Sequence, residues 1–104
     1  MNQVEIFKAL ANESRLQILQ WLKDPQRHFA PGAGEPCMQS MGIKGACVGT
    51  IQKKLGLSQS TVSHYLAILE QAELVVAKRQ GQWTYYERNE ETLKALGRFL
   101  KEDI

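Results

Sequence analysis

A chain of 104 residues with 43% hydrophobic and 23% charged residues suits one small globular domain and shows no compositional sign of disorder. Its formal net charge of +2 permits a nucleic-acid partner without arguing for one, and no apolar run approaches the roughly 18–20 residues of a membrane span. The opening stretch MNQVEIFKALANESR lacks the apolar block of a signal peptide, so the expected setting is the cytoplasm, with no membrane partner.

In chain order, Ile6, Phe7 and Leu10 recur at helical spacing and predict a short first helix. Asn12 is a candidate N-cap for a second helix, in which Leu16, Leu19 and Leu22 stack beside Ile18 and Trp21. Asp24-Pro25 should end it. Residues 25–46 hold all three prolines together with Gly32, Gly34, Gly42 and Gly45, and read as one long surface loop. Helical spacing resumes over Cys47–Leu55 through Val48, Ile51 and Leu55, with Lys53 and Lys54 outside. Gly56 is a natural stop, and Ser58 a natural N-cap for a helix from Gln59 to Ala72. Two helices joined by so short a glycine-containing turn match the helix-turn-helix pattern. Leu74–Lys78 and Trp83–Tyr86, punctuated by Gln80-Gly81-Gln82, read as a hairpin in which Tyr85 is expected to pack inward. Leu93, Leu96 and Leu100, with Phe99, mark a last amphipathic helix over Glu90–Asp103.

The helix from Gln59 is the most informative segment. At about 100° per residue, Val62, Leu66 and Leu69 share one face, while Ser60, Ser63, His64 and Ala67 share the other. That second face is small or polar and carries no carboxylate, which suits a helix entering a DNA major groove. Gln59 and His64 are candidates for base edges. Ser60, Thr61 and Ser63 are candidates for phosphates or bases near the helix N-terminus. Lys78 and Arg79 in the hairpin are candidates for backbone phosphate or the minor groove.

The segments LANESRLQILQWL and VGTIQKKLGLSQSTVSHYLAILEQAELVVAKRQGQWTYYERN resemble the ArsR family of bacterial transcriptional repressors. The resemblance implies a mainly α winged helix-turn-helix with a two-stranded β wing, dimerised through its first and last helices. It also implies repression from an inverted-repeat operator in double-stranded DNA, with release by a ligand or an oxidant. Independently, the apolar stripes of the first and last helices are more than so small a chain covers alone, which favours a homodimer.

What the protein would sense is less direct. The family's thiolate site resembles Cys-Val-Cys, whereas this chain has Cys47-Val48-Gly49 and so keeps one thiol of the two. The last helix contains no histidine for a zinc site, and His28, Cys37 and Cys47 match no tight ligand pair. No metal or other cofactor is therefore expected, although a metal- or metalloid-responsive repressor stays an alternative. Cys37 in the loop and Cys47 at a helix start suggest a thiol pair whose oxidation moves the helix-turn-helix. The rival is a Cys47 that merely packs as a small hydrophobe. Catalysis is not expected, since no nucleophile–base–acid set is present. A winged-helix protein-interaction module is the remaining alternative.

Overall fold

The computed structural model describes residues 2–29 and 45–104. The chain forms α1 (Gln3–Leu10), α2 (Glu13–Leu22), α3 (Pro25–His28), β1 (Ala46–Cys47), α4 (Val48–Leu55), α5 (Gln59–Gln71), β2 (Val75–Gln80), β3 (Trp83–Arg88) and α6 (Glu90–Arg98). A π-helical turn over Phe99–Asp103 prolongs α6. Among the described residues, no helix is long and apolar enough to cross a membrane.

Helix starts follow the caps legible in the sequence. Asn12 Oδ1 accepts the N–H of Arg15, and Ser58 Oγ accepts that of Thr61. Asn2 and Asn89 do the same for α1 and α6. Each cap satisfies one of the backbone donors that a helix start leaves unpaired. Gly56 ends α4 at φ 71°, the left-handed region where a side chain would be strained. The end of α5 is built without a glycine. Glu73 takes φ 62°, its N–H donates to Glu70 O, and the N–H of Leu74 donates to Leu69 O, both at 2.9 Å. That paired arrangement usually recruits glycine at the left-handed position, which is why no sequence signal announced it.

Three expectations need correction. Residues 25–46 are not one loop: Pro25 opens a short helix, because a proline at the first helical position lacks only an N–H that would have no partner there. Phe29 behind it is buried edge-on against Trp21. At the other end of that stretch, Ala46 and Cys47 form a strand, so Cys47 caps α4 and does not belong to it. The wing is consequently a three-stranded sheet in the order β1-β3-β2, with two strands forming the hairpin and a third anchoring it. Third, Leu16 is 42% exposed, and α2 turns Ile18, Leu19 and Leu22 inward.

The core brings these elements together. Ile6 of α1, Ile18 of α2, Ile51 of α4, Val62, Leu66 and Leu69 of α5, and Leu74 and Val75 at the hairpin are all essentially inaccessible. Leu96 packs α6 onto the same cluster. The recognition-type helix α5 thus has its apolar face held from several sides, and its opposite face is left to solvent.

Candidate nucleic-acid interface

Gly56, Leu57 and Ser58 separate α4 from α5, the short turn a helix-turn-helix requires. Gln59, Ser60, Ser63, His64 and Ala67 are all exposed, and Thr61 is half-buried. The expected groove-facing side of α5 is therefore assembled as one surface. The first turn of α5 contains no acidic residue, so its unpaired N–H groups and positive dipole end meet no competing carboxylate. Within this surface the hydroxyls are not equivalent. Ser58 Oγ donates to Thr61 Oγ1 at 2.8 Å and lies 3.3 Å from Ser60 Oγ. Thr61 and Ser60 are thus drawn into the cap, whereas Gln59, Ser63 and His64 stand on the exposed face beyond it. The His64 ring sits 6.4 Å from that of Tyr65.

The wing is positioned by its register. Gln80 pairs with Trp83 across a two-residue turn whose first member, Gly81, has φ 61°. Glycine is the residue that adopts this conformation in a tight hairpin without strain. Lys78 pairs with Tyr85 and Arg79 with Thr84, so the two cations leave opposite faces of the ribbon. Lys78 Nζ is 2.6 Å from Glu87 Oε1. Arg79 Nε donates to Gly81 O at 3.2 Å, in the turn itself. Both cations remain exposed.

Tyr85 is buried, as expected, but on the sheet face away from the main core. There it packs with Cys47 and Trp83, while its neighbour Tyr86 faces the main core. Burial, and then the carboxylate of Glu70, push the Tyr86 phenol above its usual value and keep it neutral.

Cys47 lies at the junction of all these parts. It pairs with Tyr85 through β1, caps α4, and is buried. Its Sγ is 3.2 Å from Thr50 Oγ1 and is disulfide-bonded. Cys37 lies outside the described residues. His28, the third group weighed as a metal ligand, is half-buried at the end of α3. Among the described residues no cluster of three or more His, Cys, Asp or Glu side chains is arranged to hold a metal ion.

Val4 and Phe7 of α1 lie 63% and 37% exposed, and Leu100 and Ile104 at the chain end 46% and 79%. The rings of Phe7 and Phe99 are 6.4 Å apart, which makes the two helices contribute to one apolar surface.

The model of the family "Bacterial regulatory protein, arsR family" matches residues 39–76. YbzH of Bacillus subtilis (strain 168), named as an uncharacterized HTH-type transcriptional regulator, is 54% identical over 104 residues, covering 100% of both chains. The chain belongs to the ArsR family. Among solved structures, HlyU from Vibrio cholerae N16961 superposes with a TM-score of 0.65 at 32% identity, covering 93% of this chain and 85% of that one. The reduced form of HlyU matches at a TM-score of 0.57 and 29% identity, over 94% of this chain and 84% of that one. The homodimeric winged helix-turn-helix DNA-binding domain Mb0332 from Mycobacterium bovis matches at 0.63 and 30% identity, over 91% and 72% of the two chains. This ArsR-family member is a helix-turn-helix transcriptional regulator with a winged-helix fold.

Arg15 makes a contact that the sequence did not announce. It is half-buried, and its guanidinium lies 5.4 Å from the centre of the Tyr65 ring. A single arginine near a helix start has no periodicity or motif to mark it. Strand β1 was also invisible, since two residues following a glycine carry no alternation to read.

Proposed function

We propose that the protein is a cytoplasmic homodimeric repressor that binds an inverted-repeat operator and is released when Cys37 and Cys47 are oxidised to a disulfide. The observation that carries the DNA half of this reading is the exposed, carboxylate-free N-terminal side of α5, set three residues after α4 and beside a wing anchored by a third strand. In this reading Gln59 and His64 address base edges and Ser63 a base or phosphate. Ser60 and Thr61 present the helix N-terminus to phosphate, and Lys78 and Arg79 hold the flanking backbone. The apolar surface of Val4, Phe7, Leu100 and Ile104 supports a dimer through the first and last helices, as does the homodimeric state of Mb0332.

The redox half is supported by where Cys47 sits. Through β1 it is hydrogen-bonded to the wing strand β3, and it runs directly into α4. A change at its sulfur therefore reaches the wing and the helix-turn-helix together. With hydrogen peroxide as oxidant, one thiolate attacks the O–O bond, becomes a sulfenic acid and releases hydroxide, which takes a proton from solvent to give one water. The second thiol displaces the hydroxyl as a second water, closing the S–S bond; both thiols are oxidised and the peroxide is reduced.

The test is one anisotropy series on duplexes from the protein's own promoter region, with protein reduced, peroxide-treated and re-reduced by dithiothreitol. Binding that is tight when reduced, lost on oxidation and restored by dithiothreitol fits the whole reading, and Cys47→Ser should abolish the loss. Tight binding indifferent to oxidation removes the thiol switch and keeps the DNA-binding role. Binding that is weak and insensitive to salt would turn the reading to a protein-interaction module, because phosphate contacts impose a steep salt dependence.

A further inference from the structure

We infer that Arg15 is a positioning residue that fixes α1, which carries the dimer face, against the recognition helix α5, and so sets the operator half-site separation the dimer accepts. The inference rests on the DNA-binding dimer proposed above. Arg15 lies in the first turn of α2, where Asn12 holds its main-chain N–H at 2.9 Å. Its side chain turns back to the end of α1. Nε donates to Ala9 O at 2.7 Å and Nη2 to Lys8 O at 3.2 Å, the second carbonyl also accepting the N–H of Ala11, so the side chain joins the capping of the end of α1. The Cζ of the same guanidinium lies over the Tyr65 ring, 5.4 Å from its centre. Tyr65 in turn stands beside His64, the candidate base-reading residue.

One side chain thus ties the end of the dimer helix to the middle of the reading helix, with α2 as its base. The guanidinium's spread donors reach two carbonyls while its charge lies over an aromatic ring; a lysine ammonium has the charge but not the fork. The link matters because of DNA geometry. Each base pair added between half-sites moves one of them by about 3.4 Å and rotates it by about 35°. A dimer whose reading helices are rigidly referred to the dimer helix must discriminate sharply between spacings. One whose reading helices can rock about α1 should accept several.

The experiment uses the full chain. Wild-type protein first selects an inverted repeat from a random duplex library. Binding is then measured to that repeat, to versions with the centre longer or shorter by one and two base pairs, and to a single half-site. The wild type should lose on the order of tenfold in affinity per base pair of misspacing. Arg15→Ala and Tyr65→Leu should flatten that penalty to less than about threefold while half-site binding changes by less than about twofold. Tyr65→Phe, which keeps the ring, should retain the wild-type profile, and Arg15→Lys should fall between.

A purely structural role for Arg15 would lower thermal stability and all binding together, leaving the spacing profile sharp. That result in folded Arg15→Ala and Tyr65→Leu overturns the inference. If Arg15→Ala does not fold, Tyr65→Leu decides on the same readout. Should the wild type select no inverted repeat, the DNA-binding dimer itself fails and this inference falls with it. A sharp profile in the variants removes only the positioning role.

Discussion

Glu87→Gln asks whether the wing is restrained by its own carboxylate. Lys78 Nζ lies 2.6 Å from Glu87 Oε1, and the two side chains are 65% and 24% exposed. To grip a phosphate, Lys78 must leave this pair or share it. An ion pair this open to solvent is worth only about 0.2–1 kcal/mol, so breaking it costs a factor of about 1.4–5 in affinity. Glutamine keeps the shape and removes the charge. That relieves the cost of breaking the pair and the repulsion between carboxylate and phosphate. Affinity for duplex DNA should therefore rise roughly two- to fivefold at low salt. If Lys78 then neutralises one further phosphate, the slope of log K against log salt steepens by up to about 0.9. Folding stability should fall by no more than about 1 kcal/mol.

Anisotropy titrations between about 50 and 200 mM salt, alongside thermal melts, read both quantities. In a Lys78→Ala background, Glu87→Gln should lose most of its gain. Unchanged or weaker binding with an unchanged slope would show that Lys78 does not meet phosphate, and the assignment of the wing cations would be wrong.

Phe7→Glu places a charge in the apolar surface shared by α1 and the chain end; it should raise the dimer dissociation constant by about tenfold or more in sedimentation analysis, and no change would put the interface elsewhere. Gly45→Ala should destabilise the fold by about 1–3 kcal/mol in denaturant titrations, because its Cβ would collide with the Tyr86 carbonyl oxygen where β1 meets β3. Glu73→Gly should stabilise by about 0.5–1 kcal/mol, since glycine takes the left-handed position that Glu73 occupies under strain; a lower melting temperature would contradict that account. Glu90 accepts two bonds from Arg88, at 2.8 and 2.7 Å, which hold its carboxyl below the usual range. Its contribution is therefore complete above the ordinary carboxylate pKa and lost as pH falls below it through the lowered value in the folded protein. Being 57% exposed, it is worth under about 1 kcal/mol, and Glu90→Gln should flatten the acid limb of stability by that small amount.

Much of this protein was legible in its sequence because its signals are local. Asn12 and Ser58 mark helix starts through a side chain reaching its own third neighbour, and Gly56 marks an end through its own φ. Val62, Leu66 and Leu69 name the buried side of α5 by their spacing, which leaves Ser63 and His64 outward by geometry alone. The segments around α2 and from α4 to β3 were enough for the family resemblance.

The tertiary structure decided what depends on distant partners. Ala46 and Cys47 are a strand only because β3 offers them a ladder, which anchors the wing and brings Cys47 beside Tyr85. Whether Leu16 or Leu19 faces the core turns on a small rotation of α2 that is set by its neighbours. Lys78 looks like a free cation in the sequence, and becomes the partner of Glu87 once the hairpin register is known. Arg15 is one polar residue among many until folding places two carbonyls of α1 and the ring of Tyr65 around it. Periodicity and capping report a residue's relation to its near neighbours along the chain. Pairing, stacking and ion-pair formation depend on atoms far away in sequence, and these are brought within reach only by packing.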